Sequence, residues 1–398
     1  MTTLPLVTIV TPSLNQGRWI GQTIDSVLGQ QYERLEYVVL DGGSRDTTLD
    51  VLRGYGDRLT WTSGPDGGQS AAINTGFRGA HGEIVAWLNA DDTYLPGAIG
   101  AAVEHFMNHP ECAMVYGEGN RIDEDGELIG RFAATEPPNL WKLAYLSDYI
   151  LQQSVFMRRD AVEAVGFLDE TLHWAMDWDL FLKIGKRFRI DYLPIYLGNI
   201  REHRSAKTAS GGRRRLAELA RVMRRHGNRR YPPGLFTYGI DTYISDLFRA
   251  VDRLPPALAA RIRRRRWLIE GPAYGWVDHL LTHAQGVYSD TWLAGRAHVL
   301  LAGSMNMPTI RCVGTRPVLS GMAEQVRIEV RAEGVSLGTH VVVGPGDFDL
   351  TWAVPAALRT DDPLNVEIRC RPTFRLSRLS GSADRRTLSV QAKLVTRE

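Results

Sequence analysis

The chain has 398 residues, which is enough for two or three domains with sizeable cores. Its 47 Lys and Arg residues nearly balance 45 Asp and Glu residues, and 44% of the residues are hydrophobic, so the composition is that of a folded soluble protein with no overall charge for nucleic acid. No apolar run approaches the roughly 18 residues of a membrane span, and the N-terminus lacks the basic flank of a signal peptide, so we expect a cytoplasmic enzyme. The three cysteines, which lack metal-type or redox-type spacing, are expected to be buried: Cys112, Cys312 and Cys370.

The first 116 residues alternate short apolar strands with amphipathic helices. Strands are predicted over 6–11, 36–40, 59–62, 84–88 and 113–116, and helices over 19–28, 47–55, 69–78 and 96–108. This alternation predicts an α/β fold with a mostly parallel sheet. Ligands of such sheets bind at the carboxyl ends of the strands, so the loops there should form one crevice. These loops begin at Thr11, Asp41, Ser63 and Asn89.

The rest of the chain suggests two further parts. The first domain continues beyond residue 116 with further predicted elements. These are a turn at 124–126, a strand at 154–157, helices over 160–165 and 175–186, a strand at 189–200 and an Arg-rich helix over 213–226. We place domain boundaries to give a catalytic domain at 1–230, a helical linker at 231–286 and an all-β sandwich at 287–398. The sandwich strands are predicted over 298–301, 325–330, 339–343, 365–369 and 388–394.

The first three loops carry polar residues that suit a nucleotide. The loop at 11–17 has one glycine, which disfavours a nicotinamide cofactor, and no phosphate-binding P-loop motif occurs. Asp41 could accept a hydrogen bond from a base or a ribose, although a tight turn with a helix cap is the alternative. The segment from Asp66 through Gly68 opens a helix whose free N–H groups suit a phosphate.

The fourth loop sets two adjacent carboxylates, Asp91 and Asp92, directly after an apolar strand. Like charges in contact raise a pKa or require a cation, and oxygen ligands of this kind suit Mg²⁺ or Mn²⁺. We therefore predict a divalent cation that also holds a diphosphate. The alternative is a solvated turn with helix-capping aspartates.

Two later segments add an acid, an imidazole and aromatic rings. Asp177 and Asp179 are two apart at a helix start and therefore cannot both face one site. Trp174 and Trp178 could form a ledge for a sugar ring or pack in the core. The segment from Arg201 to Arg204 supplies the imidazole of His203 and the guanidinium groups of Arg201 and Arg204, which could meet a metal or a diphosphate.

These segments together resemble a family 2 glycosyltransferase of the GT-A fold. The resemblance extends from residue 6 to about residue 207 and depends on the order of its motifs: TIVTPSLN, DGGSRDT, DGGQSAAIN, LNADD, MDWDL and REH. The QxxRW motif of processive synthases is absent. The resemblance implies an inverting transfer of a sugar from a nucleotide donor.

The resemblance also assigns roles to particular residues. It implies Asp177 as the catalytic base and Mn²⁺ or Mg²⁺ as the cofactor, with the metal ligands Asp91, Asp92 and His203. The implied nucleotide-sugar-binding residues are Thr11, Pro12, Ser13, Asn15, Asp41, Asp66, Gly68, Gln69, Asn89 and Asp91. Asn89 stands where the family usually has an acid, and Met176 stands where it usually has Glu, which leaves Asp179 as the alternative base.

We therefore expect an enzyme that glycosylates a saccharide or lipid-linked acceptor in bacterial surface polysaccharide or glycolipid assembly. A non-catalytic glycan- or nucleotide-binding scaffold with the same fold is the alternative, indicated only by Asn89 and Met176. The Arg-rich helix could rest on an anionic membrane surface at the inner face of the membrane or pack on the catalytic domain. The C-terminal part resembles β-sandwich modules of some bacterial glycosyltransferases, where Trp292 and Trp352 could bind glycan or fill the core.

Overall fold

The computed structural model of the protein forms two compact units. It describes residues 4–132, 134–203, 207, 211–227, 229–266, 268–270, 272–273, 276–277, 280, 285–287, 292–301, 307–316, 323–360, 363–375 and 387–395. The first unit contains residues 1–138 and 148–226, and the second contains 139–147 and 227–398. This division follows packing, and the three domains defined from the sequence stay a prediction.

The first unit is built on a nine-stranded sheet. Its strands are β1 Val7–Ser13, β2 Leu35–Asp41, β3 Thr60–Ser63, β4 Ile84–Trp87, β5 Thr93–Tyr94, β6 Cys112–Ile122, β7 Leu128–Arg131, β8 Phe156–Arg158 and β9 Arg189–Arg201. They lie in the order β3-β2-β1-β4-β8-β6-β9-β5, with β7 on β6. The pairs β1·β2, β1·β4, β2·β3 and β6·β9 are parallel, and the pairs β4·β8, β6·β8, β6·β7 and β5·β9 are antiparallel. The predicted mostly parallel α/β class is confirmed.

Helices cover this sheet because each has one apolar side. Those of the first unit are α1 Ile20–Leu28, α2 Thr48–Gly54, α3 Gln69–Gly79, α4 Ala98–Asn108, α6 Arg159–Ala164, α7 Met176–Arg187 and, up to residue 226, α8 Gly212–Gly227, whereas α5 Leu140–Tyr145 belongs to the second unit. Helix α3 approaches β1 so closely that a Cβ at Gly76 would lie 2.6 Å from the methyl groups of Val10. This close packing places the start of α3 beside the carboxyl ends of the strands.

The second unit combines helices α9 Pro233–Val251 and α10 Pro256–Arg263 with a β-sandwich. Its strands are β10 Arg296–Leu301, β11 Thr309–Arg316, β12 Gln325–Ala332, β13 Val335–Val343, β14 Gly346–Ala353, β15 Leu364–Arg371, β16 Phe374–Arg375, β17 Thr387–Leu388 and β18 Gln391–Val395. One antiparallel sheet has the order β10-β15-β12-β13, the other β14-β11-β18, and both contribute to one apolar core. The predicted sandwich is confirmed, although β11 and β14 were not predicted, because glycines and charged residues interrupt their apolar alternation.

Several side-chain predictions are decided by burial. All three cysteines are free and buried, as expected. Trp352 belongs to the sandwich core, and Trp292 is buried against Phe374, with ring centroids 5.5 Å apart. Trp178 is also buried, so the idea of a sugar-binding ledge at Trp178 is wrong. Among the helices that the structure describes, none has the length and apolar character to cross a bilayer.

Candidate active site

Hydrogen bonds join the loops that follow β1, β2 and β3. The Asn15 amide donates to Ser44 Oγ at 2.7 Å, and Asn15 Oδ1 accepts from the Arg45 amide at 2.9 Å. Asn15 has a positive φ of 54°, which an Asn side chain tolerates better than most. Ser63 Oγ donates to Asp41 Oδ2 at 2.6 Å. The loops therefore meet at one edge of the sheet, as predicted.

Asp41 holds the second loop in shape. Its buried carboxylate accepts hydrogen bonds from the Gly43 and Ser44 amides and from the Ser44 and Ser63 hydroxyl groups, at 2.5 to 3.1 Å. Burial raises the pKa of Asp41, but these hydrogen bonds stabilise the charged form more, so the net pKa is lowered. Oδ2 accepts three of the four bonds, so Oδ1 keeps capacity to accept from a ligand.

The predicted first loop begins later than Thr11, because β1 extends to Ser13, and the end of this strand carries a buried hydroxyl group. Thr11 and Pro12 are buried, and Thr11 Oγ1 lies 3.0 Å from the hydroxyl of Tyr37. Ser13 Oγ is buried and makes no hydrogen bond in the part of the chain that the structure describes. A buried hydroxyl without a partner costs free energy, so Ser13 is a suitable group for a polar ligand.

The third loop lies against the second. Asp66 Oδ1 accepts from the Gly68 amide at 2.8 Å, and Gly68 has a φ of 98° that favours glycine. A Cβ at Gly42 would lie 3.1 Å from Asp66 Oδ2, so the absence of a side chain there permits the contact. Helix α3 begins directly after this turn, at Gln69. The exposed Asp66 and the first turn of α3 thus border the crevice together.

Asn89 connects the third and fourth loops. Its Oδ1 accepts from Gln69 Nε2 at 2.7 Å, and its Nδ2 donates to Asp92 Oδ2 at 3.0 Å and to Gln152 Oε1 at 3.1 Å. An Asp at this position could not make the two donated bonds. The Asn that departs from the family pattern is therefore built into the hydrogen-bond network of the site.

Asp91 and Asp92 are adjacent but have different surroundings. Asp91 Oδ2 lies 2.9 Å from Nε2 of His203, whose ring packs on Trp19 with centroids 4.3 Å apart. Asp92 is 3% exposed and accepts from the Arg201 amide, Gln153 and Asn89 at 2.6 to 3.0 Å. Burial and then the charge of Asp91 raise the pKa of Asp92 to about 7. Asp91, whose side chain is 20% exposed, is the better placed of the two for a ligand.

The Arg201 side chain holds the Asp91 loop in place through hydrogen bonds to its backbone. Its buried guanidinium donates to the carbonyls of Asp91 at 2.8 Å and Asp123 at 3.0 Å, and to Gln22 Oε1 at 2.6 Å. Five donors in a rigid fork allow one side chain to join three segments. Arg201 is thus a supporting residue of the site, whereas its neighbour Glu202 pairs with Arg121.

Asp177 and Asp179 point to different surroundings, as predicted from their spacing. Asp177 is half-buried at the start of α7, and its Oδ1 accepts from the Trp178 amide at 2.8 Å. Its Oδ2 accepts no hydrogen bond from any residue that the structure describes. Burial raises the pKa of Asp177, against the lowering effect of nearby positive charge on Lys207 and Arg215. Asp177 therefore has one carboxylate oxygen that can accept a further hydrogen bond, and its raised pKa makes the carboxylate a stronger base.

Asp179 is fully buried and paired with cations. Its Oδ1 accepts from His226 at 2.8 Å and from Arg225 at 3.0 Å, and its Oδ2 lies 2.9 Å from Lys183 Nζ. Burial raises the pKa of Asp179, but the hydrogen bond from His226 and the Lys183 charge outweigh it and lower the pKa to about 2. These partners leave Asp179 no accessible oxygen, so the geometry favours Asp177 as the base.

The loop that leads to Asp177 is fastened by α3 and α8. Asn74 donates to the Leu168 carbonyl and accepts from the Leu168 amide, both at 3.0 Å. Ser70 donates to Met176 Sδ at 2.7 Å, so the Met at this position packs as a buried acceptor. Glu218 of α8 accepts from the Trp174 and Ala175 amides at 2.8 and 3.1 Å. Two helices therefore position the N-terminus of α7.

Sequence reasoning missed two charged residues beside Asp177. Lys207 Nζ donates to Gln69 Oε1 at 2.6 Å, and burial lowers the pKa of Lys207 although the charges of Asp177 and Glu218 raise it. Asp148 accepts from the Ile150 amide at 3.0 Å, and burial and the charge of Asp177 raise its pKa well above the ordinary value. No local motif marks either residue, because only the fold brings them to the site.

The apolar side of α8 is packed within the first unit. Leu219, Val222 and Met223 are buried, while Arg225 pairs with Asp169 at 2.7 Å and with Asp179. These contacts favour packing on the catalytic unit over insertion of this side in a membrane. Arg204, which the sequence placed near the diphosphate, lies outside the described residues.

Comparisons with known proteins find similarity to glycosyltransferases. Residues 8–165 match the family model for Glycosyl transferase family 2. An uncharacterized glycosyltransferase of Rickettsia felis is 32% identical over 193 residues, which are 45% of our chain and 31% of that protein. The chondroitin synthase of Pasteurella multocida is 28% identical over 193 residues, which are 48% of our chain and 20% of that protein. The chain thus spans less than a third of the length of either relative.

Among solved structures, the chain is similar to the mannosyltransferase PcManGT from Pyrobaculum calidifontis in complex with GDP-Man and Mn²⁺. The TM-score is 0.47 with 21% identity, over 70% of our chain and 84% of that chain. The match to the family model covers β1 to α6 and includes the loops of Ser13, Asp41, Asp66 and Asp91. Residues 8–165 of the chain are therefore similar to glycosyltransferase family 2.

Proposed function

We propose that the protein is an inverting glycosyltransferase that moves a sugar from a nucleoside diphosphate donor to a hydroxyl group of a saccharide or lipid-linked acceptor. The observation that carries the proposal is the open oxygen of Asp177, next to Lys207, which also binds Gln69 at the start of α3. The Asp177 carboxylate is thus adjacent to the crevice that the polar loops form at the carboxyl ends of the strands. Single displacement at the anomeric carbon inverts its configuration.

Asp177 takes the proton of the attacking hydroxyl group. An alcohol is a poor nucleophile at neutral pH, and a positioned general base contributes typically about 10²- to 10⁴-fold to the rate. The raised pKa of Asp177 makes its carboxylate a stronger base than an ordinary aspartate. Glu218 supports this role because it fixes the two amides that precede α7.

The nucleotide binds along the first three loops. The unpaired Ser13 hydroxyl and the remaining capacity of Asp41 Oδ1 suit a base or a ribose. Asp66, Gly68 and Gln69 border the sugar and the phosphates, where the first N–H groups of α3 favour negative charge. Asn89 fixes the Gln69 side chain by accepting its hydrogen bond.

Asp91 and His203 are the residues that fit a divalent cation. A partly exposed carboxylate lies 2.9 Å from a ring nitrogen, and oxygen and imidazole ligands suit Mn²⁺ in particular. A bound cation supplies a Lewis acid that offsets the charge of the departing diphosphate. Asp92 remains a predicted ligand, but its three hydrogen bonds and burial favour a role in holding the loop.

The pathway and location are also proposals. Acceptors of surface polysaccharide or glycolipid assembly would be met on the cytoplasmic side of the membrane, and α8 exposes Arg213, Arg214 and Arg221. Each basic residue near an anionic surface adds about 1 kcal/mol of binding. Flotation with anionic liposomes should exceed that with neutral ones, and equal flotation would remove the electrostatic argument.

The first experiment is thermal unfolding with UDP, GDP and dTDP, with and without Mn²⁺. A ligand at 100 times its dissociation constant adds about 2.7 kcal/mol of stability. We expect a metal-dependent shift with one nucleotide, followed by transfer or slow hydrolysis of the matching sugar nucleotide. A shift without any turnover would favour the non-catalytic scaffold, and no shift with any nucleotide would contradict donor binding.

A further inference from the structure

The second unit contains a basic groove of about 790 Å³. The groove lies along β10, β12 and β15, and the residues that matter for its chemistry are Arg296, Gln325, Arg327, Arg369, Arg371 and Thr373. A volume between about 300 and 1,000 Å³ is typical of sites for small ligands and short segments of polymers. Four arginines in one such groove indicate recognition of negative charge.

The strand register places these arginines in opposed pairs. Arg327 of β12 is opposite Arg371 of β15, and Arg296 of β10 is opposite Arg369 of β15. The residues that alternate with them, such as Ile328 and Cys370, are buried in the sandwich core, so the arginines share the outward face. Like charges directly opposite one another destabilise a sheet. Two Arg–Arg pairs side by side therefore destabilise the sheet, so stabilisation of the fold does not account for them.

Neutralisation by carboxylates is incomplete. Glu367 pairs with Arg296 at 2.7 Å and with Arg369 at 2.9 Å, and Glu329 lies 3.9 Å from Arg369. Arg327 and Arg371 are exposed, and neither forms an ion pair with any residue within the described ranges. Each guanidinium has five donors in a fork that fits a carboxylate or a phosphate. This facing pair therefore has the free binding capacity.

The lining of the groove limits the class of ligand. Among the residues that the structure describes, the lining includes no aromatic side chain, and Trp292 and Trp352 are buried in the same unit. Proteins that hold single-stranded nucleic acid combine positive charge with aromatic stacking platforms, and neutral sugars also pack on aromatic faces. Charge and hydrogen bonding, without stacking, suit a saccharide that carries acidic groups.

We propose that this groove binds an acidic saccharide through its carboxylate or phosphate groups, with Arg327 and Arg371 as the main contacts. The choice of a saccharide rests on the proposed glycosyltransferase function, because such an enzyme must meet a glycan acceptor. Arg296 and Arg369 add positive charge, and Gln325 and Thr373 add neutral polar groups. The groove belongs to the second unit, whereas the candidate active site belongs to the first.

The test measures binding of the full chain to defined polymers at 50 and 150 mM NaCl. Polygalacturonate carries carboxylates, a glycerol phosphate polymer carries phosphodiesters, dextran is neutral, and poly(dT) is a nucleic acid. We expect binding of one or both acidic polymers and none of dextran. The variant Arg327→Gln/Arg371→Gln should bind the acidic polymer about tenfold more weakly, because it loses two bidentate charge-assisted contacts.

A control variant removes the same charge outside the groove. Arg253→Gln/Arg311→Gln changes an exposed arginine after α9 and one that pairs with Asp349 on the other sheet. It should bind within about twofold of the unaltered chain, because screening weakens distant charges. Equal losses in both variants, equal binding of dextran, tighter binding of poly(dT) through the same arginines, or no binding of either acidic polymer would overturn the proposal.

Hydrolysis of the nucleotide sugar separates this proposal from the function on which it rests. The groove variant should hydrolyse the donor at the rate of the unaltered chain, since no groove residue belongs to the candidate active site. If the unaltered chain binds acidic polymer but never consumes any donor, the transferase proposal fails and the groove stands. If it consumes donor but binds no acidic polymer, the groove proposal fails alone.

Discussion

The loop of Asp91 and Asp92 and the start of α7 solve the same electrostatic problem in different ways. Each region holds two carboxylates close in sequence, and in each one carboxylate is buried while the other keeps an accessible oxygen. Asp92 is held by neutral donors and has a raised pKa, whereas Asp179 is held by cations and has a lowered one. In both regions the buried carboxylate, Asp92 or Asp179, holds the local structure. The two differ in what stabilises the carboxylate: neutral donors at Asp92 and positively charged side chains at Asp179.

The largest expected effect tests the exposed member of the α7 pair. Asp177→Asn should lower the rate of transfer by about 10³-fold, because the amide cannot accept the proton of the acceptor. The donor-dependent shift in unfolding temperature should remain, which serves as the control for folding and binding. Steady-state transfer assays would measure the rate, and full activity would place the base elsewhere.

The next effect tests the buried member of the α7 pair. Asp179→Ala should lower the free energy of unfolding by about 3 kcal/mol, because it leaves Lys183 and Arg225 without a counter-charge and the buried His226 without its hydrogen-bond partner. Urea unfolding would measure this loss. Asp169→Ala, which removes a carboxylate that binds Arg225 and the neighbouring Thr171, should cost less, about 1 kcal/mol.

The pH dependence of that loss has a definite sign. The pKa of Asp179 is about 2 in the folded chain against an ordinary 3.8, so its stabilisation is present above pH 4 and is lost as the pH falls toward 2. The difference in stability between the unaltered chain and Asp179→Ala should therefore shrink in acid. A constant difference from pH 7 to pH 2.5 would contradict the ion cluster.

A third effect separates Asp91 from Asp92. Asp91→Asn should weaken metal-dependent donor binding at least about tenfold while the free energy of unfolding changes little, because its side chain is partly exposed. Asp92→Ala should lower stability without any nucleotide present, because the buried Gln153 side chain and Arg201 amide lose their acceptor. Titration of Mn²⁺ by calorimetry and urea unfolding would distinguish them, and the reverse pattern would return Asp92 to the metal.

The smallest expected effect is a shift in the pH profile. The positive charge of Lys207 lowers the pKa of Asp177, so Lys207→Met should move the acid limb of the transfer rate to higher pH. The rate is expected to rise with pH through that limb, because Asp177 must be deprotonated to act. Lys183→Met, which affects the Asp179 cluster, should leave the limb in place, and equal shifts would argue against the role of Lys207.

The sequence predicts the parts of the site that follow from strand ends. Asp41, Asn89 and Asp91 stand where apolar runs stop, and a parallel sheet collects those positions at one edge. The sequence does not predict that Asp92 is buried, because its donors Gln153 and Arg201 are 61 and 109 residues away. Glu218 and Lys207 are likewise found only through tertiary contacts, since an isolated Glu or Lys in a polar segment carries no pattern.

The double hydrogen bond of Asn74 with Leu168 has a mechanical consequence. Helix α3 begins at Gln69, a proposed donor-binding residue, and the segment from Leu168 leads to Asp177, the proposed base, so the Asn74 hydrogen bonds connect the two parts of the candidate site. A shift of Gln69 on donor binding would be transmitted to the proton acceptor through a buried side chain.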